Sequence, residues 1–337
     1  MIVGVLRETA ARERRVALVP ADVRRLTAAG VAVVVQSGAG GYAGFDDEAY
    51  RGAGARLVGS GAEVFAPADL VVWVKPPVFP VESMPRRRGL TLLGFQDPIH
   101  RAARIASLRA LGVESVAFES VSPGQLPAAD ALTAMSRIAG NVAYRAGRRL
   151  VPARRRPIRS LLLGCGQAGR SAFETASACG DEPPVVVGNR DEQRAVVTAL
   201  GPCDFRTNAD GDPALIREWI RDVEPDLVVC AAVRRGTRAP ILIDRAGLAA
   251  LGSGAVVVDL VAKAGGNCVA TVLDATVISA DGVVVTHRSN YPARRPAAAS
   301  RSYSAAALAM IGRLGNVSVG VSSVGGADDH FVGGSDS

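Results

Sequence analysis

The strongest constraint on the fold of this chain is a glycine-rich turn between an apolar strand and a helix. Residues 161–163 predict a buried strand that runs into Gly164-Cys165-Gly166-Gln167-Ala168-Gly169, and a second apolar strand follows at 185–187. In such a turn Gly164 permits the tight bend, Gly166 lets a pyrophosphate approach the backbone, and Gly169 lets helix pack on strand. The free N–H groups at the start of the helix also favour phosphate. The sequence therefore predicts a dinucleotide site whose cofactor contacts are Gly164, Gly166, Gln167, Ala168 and Gly169.

The end of the second strand indicates which dinucleotide binds. An NAD site usually carries an acidic residue about 20 positions further on, which holds the ribose 2′-hydroxyl. Here that position is Asn189, and Arg190 follows it. Asparagine does not repel a 2′-phosphate, and arginine binds one through paired donors. Two alternatives stay open: Asp191 reaches the ribose, or the segment is an ordinary turn with an exposed arginine. We predict NADP as the cofactor, with NAD as the second choice.

Composition limits the class of protein. The 337 residues predict two domains, and a hydrophobic content of 48% is enough for sizeable cores. No apolar run approaches the ~18 residues of a membrane span. The short first strand is followed at once by charge, unlike a signal peptide, so we expect a cytoplasmic protein without membrane insertion. The five cysteines lack paired metal-ligand spacing, which predicts reduced thiols and no metal site.

The net charge of +7 raises the question of nucleic-acid binding. The basic residues are dispersed, and aromatic residues make up only 4% of the chain, which leaves little for base stacking. The densest arginine cluster spans residues 148–159 beside Pro152 and Pro157, a composition that favours a solvated linker over a phosphate-backbone site. We expect no nucleic-acid partner.

Lysine is rare in this chain, and its positions are informative. Of 39 basic residues only Lys75 and Lys263 are lysines, as a strong coding bias toward arginine would produce. Lysine differs from arginine in being a compact, titratable amine with three donors. Survival by chance is the alternative, but the places of these two residues favour a function.

Strand and helix patterns alternate along the chain. Residues 1–118 read as repeated β-α-β units, which predicts a parallel sheet with helices on both faces. A long helical pattern over 128–150 connects this part to the glycine-turn region, and a helix over 302–314 closes the fold. Glycine and serine dominate the final segment, so we predict a disordered tail over 315–337.

Several stretches, in the same order along the chain, resemble the alanine dehydrogenase and transhydrogenase alpha-subunit family over residues 1–314. They are Arg-Val-Ala-Leu-Val-Pro (15–20), Ser-Gly-Ala-Gly-Gly (37–41), Phe-Asp-Asp-Glu-Ala-Tyr (45–50), Val-Lys-Pro-Pro (74–77), Asp-Ala-Leu-Thr-Ala-Met-Ser-Arg-Ile-Ala-Gly (130–140), Val-Val-Asp-Leu (257–260), Gly-Gly-Asn-Cys (265–268) and Asn-Tyr-Pro-Ala (290–293). The 130–140 and 265–268 stretches look closer to the transhydrogenase branch.

The resemblance implies an α/β fold with two Rossmann-like parallel-sheet domains. A substrate domain would comprise residues 1–128 and 296–314. The dinucleotide-binding domain, residues 129–295, would be inserted into it, with the active site in the cleft between them. The family also implies a homo-oligomer, either a dimer or a hexamer.

The resemblance also implies roles for individual residues. In alanine dehydrogenases an arginine and a lysine hold the substrate carboxylate, and Arg15 and Lys75 match those positions. Such a cation pair suits a small anionic substrate, because it orients the reacting carbon for hydride transfer. Asn290 and the segment at Ala232 and Val233 would flank the nicotinamide. Without the family, Arg15 would read equally well as a surface charge in an arginine-rich run.

Two catalytic positions depart from the alanine dehydrogenase pattern. The position of the catalytic histidine holds Asp97, with His100 three residues later, and the position of the catalytic aspartate holds Lys263. If Asp97 and Lys263 face each other, each is a candidate general acid or base. The alternative is a solvated aspartate in a turn and a solvated lysine in a loop.

Three functions are compatible with the sequence. The first is NAD(P)(H)-dependent hydride transfer to or from a small carboxylate substrate, an amino, imino or 2-oxo acid. The second is the nucleotide-binding alpha subunit of a proton-translocating NAD(P) transhydrogenase. That branch has an Arg–Gln–Asp set, which falls on Ser122, Pro127 and Asp130, so two of its three residues are missing. The third is an NADP-binding protein without catalysis.

Overall fold

The computed structural model describes residues 1–121, 124, 126–234 and 237–319, which form two sheets flanked by helices. The first sheet has six strands, β1 to β6, within these residues: Ile2–Val5, Ala32–Gln36, Arg56–Val58, Leu70–Val72, Thr91–Gly94 and Glu114–Ala117. They pair in parallel in the order β3-β2-β1-β4-β5-β6.

Helices cover both faces of the first sheet. In this part of the described chain they are α1 to α4: Pro20–Ala28, Asp47–Gly52, Gly61–Phe65 and Ala102–Ala110. Successive strand residues point to opposite faces. Accordingly, Val33 and Val35 belong to one hydrophobic core and Val34 to another. The sheet is therefore buried on both sides, as parallel sheets usually are.

The second sheet has the strands β7 to β13, again counted within the described residues: Ser160–Leu163, Val185–Gly188, Asp204–Thr207, Leu227–Cys230, Val256–Asp259, Thr276–Ile278 and Val284–Thr286. Their order is β12-β13-β11-β10-β7-β8-β9. The edge pair β12–β13 is antiparallel, and the other pairs are parallel. The predicted α/β class with parallel-dominated sheets is confirmed.

The remaining helices of the described chain are α5 to α10: Ala131–Leu150, Gln167–Ala178, Gln193–Thr198, Pro213–Val223, Arg245–Ala250 and Pro296–Gly315. Helix α5 joins the two parts, because Met135 near its start packs into the first core and Tyr144 packs into the second. A Cβ atom at Gly140 would lie 2.0 Å from the Ala168 carbonyl oxygen. Only glycine permits this close crossing of α5 and α6.

Helix α10 returns to the first core. Tyr303 and Ile311 are buried in it, and the Ser304 hydroxyl accepts the Val19 N–H at 3.0 Å. The helix begins at Pro296, six residues before the predicted start, and proline is well suited to the first turn of a helix. Val317 and Val319 pack against the same core. Residues 320–337 of the predicted tail lie outside the described residues. No helix in the described chain is long and apolar enough to span a bilayer.

Candidate active site

A cavity of about 740 Å³ lies along the carboxyl edge of the second sheet. Its lining includes the glycine turn at 164–166, the end of β8 at 187–190 and the segment 231–234 after β10. Strand β7 lies between β10 and β8, so the strand order changes direction at the glycine turn. Ligands of open parallel sheets bind at such a point.

The three glycines of the turn differ in the space around them. Gly164 has φ +101°, and a Cβ atom there would lie 2.7 Å from the carbonyl carbon of Ala231. A Cβ atom at Gly169 would lie 1.8 Å from the Gly164 carbonyl oxygen, whereas one at Gly166 would meet nothing within 4 Å. The backbone is therefore tightly packed at 164 and 169 and open at 166. These residues fit a dinucleotide whose pyrophosphate approaches Gly166, with Gln167 and Ala168 opening α6 beside it.

This contrast predicts two different outcomes for alanine substitution. We expect Gly166→Ala to leave thermal stability unchanged and to weaken NADPH and NADH binding about tenfold, since the new methyl occupies the open space. We expect Gly169→Ala to destabilise the fold by about 1–3 kcal/mol through overpacking. Fluorescence titration of the reduced dinucleotides and thermal unfolding measure the two effects. Wild-type affinity in Gly166→Ala would contradict a pyrophosphate at this turn.

Two buried polar residues hold the loops beside the cavity. The Asp259 carboxylate, which is fully buried, accepts four hydrogen bonds, from the backbone N–H groups of Val261, Asn267 and Cys268 and from the Thr271 hydroxyl. Asn267 in turn accepts the Ala232 N–H at 3.0 Å and donates to the Ala232 carbonyl at 2.9 Å. The backbone at Ala232 is thereby fixed, and the exposed Val233 follows it. Both polar residues lie in the family stretches, but sequence reasoning assigned them no role.

At the end of β8 the predicted ribose-binding residues line the cavity. Asn189 is half-buried and Arg190 exposed. Asp191, the alternative ribose partner, bonds to the Thr207 hydroxyl at 2.5 Å and lies 3.7 Å from Arg194. Asp191 is not among the described residues that line the cavity.

The predicted substrate residues Arg15 and Lys75 meet at a buried carboxylate, Glu13. Glu13 accepts from Nε and Nη2 of Arg15 at 2.7 Å each, and Nζ of Lys75 lies 3.6 Å from it. Asn290 joins this cluster by donating to Glu13 at 2.9 Å and accepting from Arg15 at 3.0 Å. Arg15 is only 3% exposed, so the surface-charge interpretation of it is wrong. The side chain of Asn290, predicted to flank the nicotinamide, thus contacts Arg15 and Glu13 of the first part of the molecule.

The charges of Glu13, Arg15 and Lys75 act on one another, and that of Lys263 acts on Lys75. Burial by itself would raise the pKa of Glu13, but the hydrogen bonds and charge of Arg15, with the charge of Lys75, lower that pKa to about 2. Burial lowers the pKa of Lys75, the Glu13 carboxylate opposes this, and the positive charges of Arg15 and Lys263 add to the lowering. The charge of Lys263 therefore contributes to the lowered pKa of Lys75. An ionised Glu13 and the cations around it leave a net positive site, which suits an anionic substrate.

A second carboxyl group, that of Glu8, contacts the backbone at Lys75. It accepts the backbone N–H groups of Val74 at 2.6 Å and of Lys75 at 3.0 Å. Burial raises its pKa to about 8, in opposition to these two donors. Sequence reasoning missed Glu8 and Glu13. The available signal was that these are the two acidic residues of segment 7–15, whose other charged residues are all arginines.

The predicted catalytic pair does not meet in the structure. The Asp97 carboxylate bonds to Nδ1 of His100 at 2.7 Å, and these side chains are 53% and 74% exposed. Lys263 lies exposed in a short 3-10 turn at 262–264, after β11. Within the described chain no ion pair joins Asp97 to Lys263.

Sequence reasoning also missed His287, which directly follows β13. It is buried, and its Nδ1 accepts the Asp274 N–H at 3.0 Å, which leaves the proton on Nε2. Burial lowers the pKa of this imidazole, the carboxylates of Asp274 and Asp259 oppose the shift, and Lys263 adds to it. A neutral histidine therefore lies within the field of Lys263.

Of the positions that match the transhydrogenase Arg–Gln–Asp set, Ser122 lies outside the described residues. Pro127 begins a 3-10 turn. Asp130 caps α5 by accepting the Thr133 N–H at 2.9 Å. A capping role accounts for the one residue of the set that this chain retains.

Two family models match almost the whole chain. One, described as alanine dehydrogenase/PNT, N-terminal domain, matches residues 4–139, and the other, alanine dehydrogenase/PNT, C-terminal domain, matches residues 143–332. The chain belongs to the alanine dehydrogenase/PNT family. The family predicted from the sequence stretches is confirmed.

Relatives come from both branches of this family. The chain is 32% identical to an NAD(P) transhydrogenase subunit alpha of Cereibacter sphaeroides, over 90% of the chain and 64% of that subunit. It is also 32% identical to an alanine dehydrogenase of Bacillus subtilis (strain 168), over 79% of the chain and 72% of that protein. A crystal structure of transhydrogenase from Sinorhizobium meliloti matches with a TM-score of 0.83 at 26% identity, over 92% of both chains. The chain thus spans 64% of the length of the transhydrogenase subunit.

Proposed function

We propose that this chain is an NAD(P)(H)-dependent oxidoreductase that transfers a hydride to or from a small carboxylate substrate, an amino, imino or 2-oxo acid. One observation carries the proposal: the Glu13–Arg15–Lys75 cluster lies where the two parts of the molecule touch, because Asn290 from the second part bonds to Arg15. A cation pair at this junction would bind an anionic substrate between the two parts of the molecule. Residues 1–128 with 296–314 would form the substrate domain, and residues 129–295 the dinucleotide domain.

In this proposal a bound nicotinamide supplies or accepts the hydride. Lys75 and Arg15 bind the substrate carboxylate, Arg15 being held in place by Glu13 and Asn290. In the reductive direction, one hydride adds to the C=O or C=N carbon and one proton to its oxygen or nitrogen. We assign that proton to Lys263, whose charge acts on Lys75. Asp97 is the second candidate. We rank it after Lys263 because its carboxylate is already hydrogen-bonded to His100.

The cofactor we propose is NADP, with NAD as the second choice. Asn189 and Arg190 line the cavity after β8, where we expect the ribose, and they offer donors and positive charge to a 2′-phosphate. Asp191, the nearest acidic alternative in the turn, accepts a hydrogen bond from Thr207 and lies 3.7 Å from Arg194. We further propose a cytoplasmic homo-oligomer, a dimer or a hexamer, and light scattering tests the assembly. The five free cysteines fit a reducing compartment.

A second candidate function is that of a nucleotide-binding transhydrogenase subunit, which exchanges hydride between two dinucleotides. The similarity to a transhydrogenase alpha subunit over 90% of the chain favours it. Pro127 at the glutamine position of the Arg–Gln–Asp set counts against it.

The proposal is tested by titrating NADPH and NADH into the full chain and then screening 2-oxo acids with and without ammonia. We expect oxidation of the reduced dinucleotide to depend on one of these acids. Exchange between NADPH and an oxidised NAD analogue, with no turnover of any acid, would support the second candidate instead. Tight dinucleotide binding with neither reaction would contradict both, and would identify a binding protein without catalysis.

A further inference from the structure

The turn after β8 is held by one side chain, Gln193. Its Oε1 accepts the backbone N–H of Asn189 at 2.9 Å and that of Arg190 at 3.2 Å. A Cβ atom at Gly188 would lie 2.6 Å from this Oε1, so the amide occupies space that only glycine leaves open. The Gln193 amide is therefore held by two backbone N–H groups and by its packing against Gly188.

These contacts fix which end of the amide faces the cavity. Two N–H groups require an acceptor, so the oxygen must face the backbone, and a flipped amide would set donors against donors. The outer atom is consequently Nε2. Within the described chain Nε2 has no hydrogen-bond partner. Gln193 lines the same cavity as Gly166, where the pyrophosphate is expected.

Of the neighbouring polar groups, Asn208 and Asp191 have partners within the protein, and Asp210 is exposed. The Asn208 amide is used within its own loop, donating to the Asp212 carbonyl at 2.9 Å and accepting the Asp212 N–H at 2.8 Å. Asp191 bonds to Thr207. Asp210 is the carboxylate among the described lining residues, and it lies exposed on the loop after β9. The side-chain donors that this turn offers to a ligand are therefore Nε2 of Gln193, the Asn189 amide and the guanidinium of Arg190.

We propose that Gln193 is a specificity-determining residue for the cofactor, with Nε2 donating to the 2′-phosphate of NADP beside Arg190. This inference rests on the proposed binding of NADP and names the residue that selects it. A glutamate at 193 would keep both backbone hydrogen bonds through one oxygen. Its other oxygen would place an acceptor and a negative charge where Nε2 now donates. Such a carboxylate repels a 2′-phosphate and accepts a ribose 2′-hydroxyl.

The isosteric variant Gln193→Glu tests the inference directly. We expect its affinity for NADPH to fall about tenfold to a hundredfold, because a donor to a charged group is lost and a repulsion is added. Its affinity for NADH should stay or rise, so that the preference between the two reverses. Gln193→Ala removes the donor and also the two backbone hydrogen bonds of the turn, so it should weaken the binding of both dinucleotides, and that of NADPH more.

The experiment is a fluorescence titration of NADPH and NADH into the full chain, with thermal unfolding to confirm that each variant is folded. Ala195→Glu adds the same negative charge at an exposed position of α7 outside the described cavity lining, and this charge-matched control should keep the wild-type preference. If the wild type prefers NADPH and Gln193→Glu keeps that preference, the proposed role of Gln193 is overturned and the binding of NADP is not. A reversal in Ala195→Glu overturns that role as well. A wild-type preference for NADH overturns the NADP assignment itself, whatever the variants do.

Discussion

Replacing Glu13 by glutamine is expected to lower the free energy of unfolding by about 3–5 kcal/mol, the usual cost of breaking a buried ion pair. Arg15 is 3% exposed and gives two hydrogen bonds of 2.7 Å to this carboxylate. Glutamine retains one acceptor oxygen and no charge, so the guanidinium stays buried without its counter-ion. Urea unfolding measures the loss.

Two further variants identify the cause of that loss. Glu48→Gln removes an ion pair to Arg51 in which the side chains are 80% and 57% exposed, and should leave stability unchanged. Glu13→Gln combined with Arg15→Met removes both charges and should be more stable than Glu13→Gln alone. Equal stabilities of the single and double variants would contradict a penalty for the unpaired charge.

The same carboxylate predicts an acid limb of the stability curve. The folded-state pKa of Glu13 is about 2, below the 4.5 of an unperturbed glutamate. A lowered pKa means that the folded state binds fewer protons than the unfolded state in this range, so stability increases with pH there. The contribution of Glu13 is complete above pH 4.5 and is lost as the pH falls toward 2. Glu13→Gln should therefore show a flatter decline over that interval.

Replacing Lys75 or Lys263 by methionine is expected to reduce kcat/KM by about 10²- to 10⁴-fold with the acid found in the screen, the range for loss of a positioned catalytic or orienting group. Lys75→Met should raise KM as well, because a cation of the carboxylate site is lost. Lys263→Met should act mainly on kcat, because proton transfer is lost. Both variants should bind NADPH as the wild type does.

The controls for this prediction use the rarity of lysine. Lys75→Arg keeps the positive charge but replaces a compact ammonium group with a planar guanidinium group. It should therefore retain only part of the wild-type activity. Arg24→Met removes a cation from the exposed side of α1 and should have no effect. Because Lys75 and Lys263 are the two lysines of the sequence, reductive methylation reaches these two side chains and the N-terminus alone. Full activity in both methionine variants would contradict the proposed function.

Local patterns predicted most of the elements that carry the dinucleotide cavity. The apolar run at 161–163 lies within β7, and the predicted helix after the glycine turn is α6. Some elements had no such signal. Strand β9, Asp204–Thr207, alternates charged and apolar residues at the edge of the described sheet. The start of α10 is rich in alanine and serine, without an apolar period, so its first six residues were not predicted.

The dinucleotide turn could be recognised from the sequence because its glycine spacing, between an apolar strand and a helix, is a local pattern. The close contact of Gly169 with Gly164 joins residues of that pattern, whereas the contact of Gly164 with Ala231 is made by the segment after β10. The identity of the cations proposed to bind the substrate, Arg15 and Lys75, was likewise available from the family stretches.

Only the tertiary structure decided how those charges are arranged. Asn290 and Glu13 are 277 positions apart, and their hydrogen bond exists because the chain returns to the first sheet. Burial at that contact makes Glu13 the counter-ion of Arg15, while Asp97 turns to His100 at the surface. Desolvation and hydrogen bonding depend on what surrounds a side chain in space, and a linear sequence does not contain that information. The two cations Arg15 and Lys75 were thus predictable, whereas Glu13, the carboxylate that pairs with them, was not.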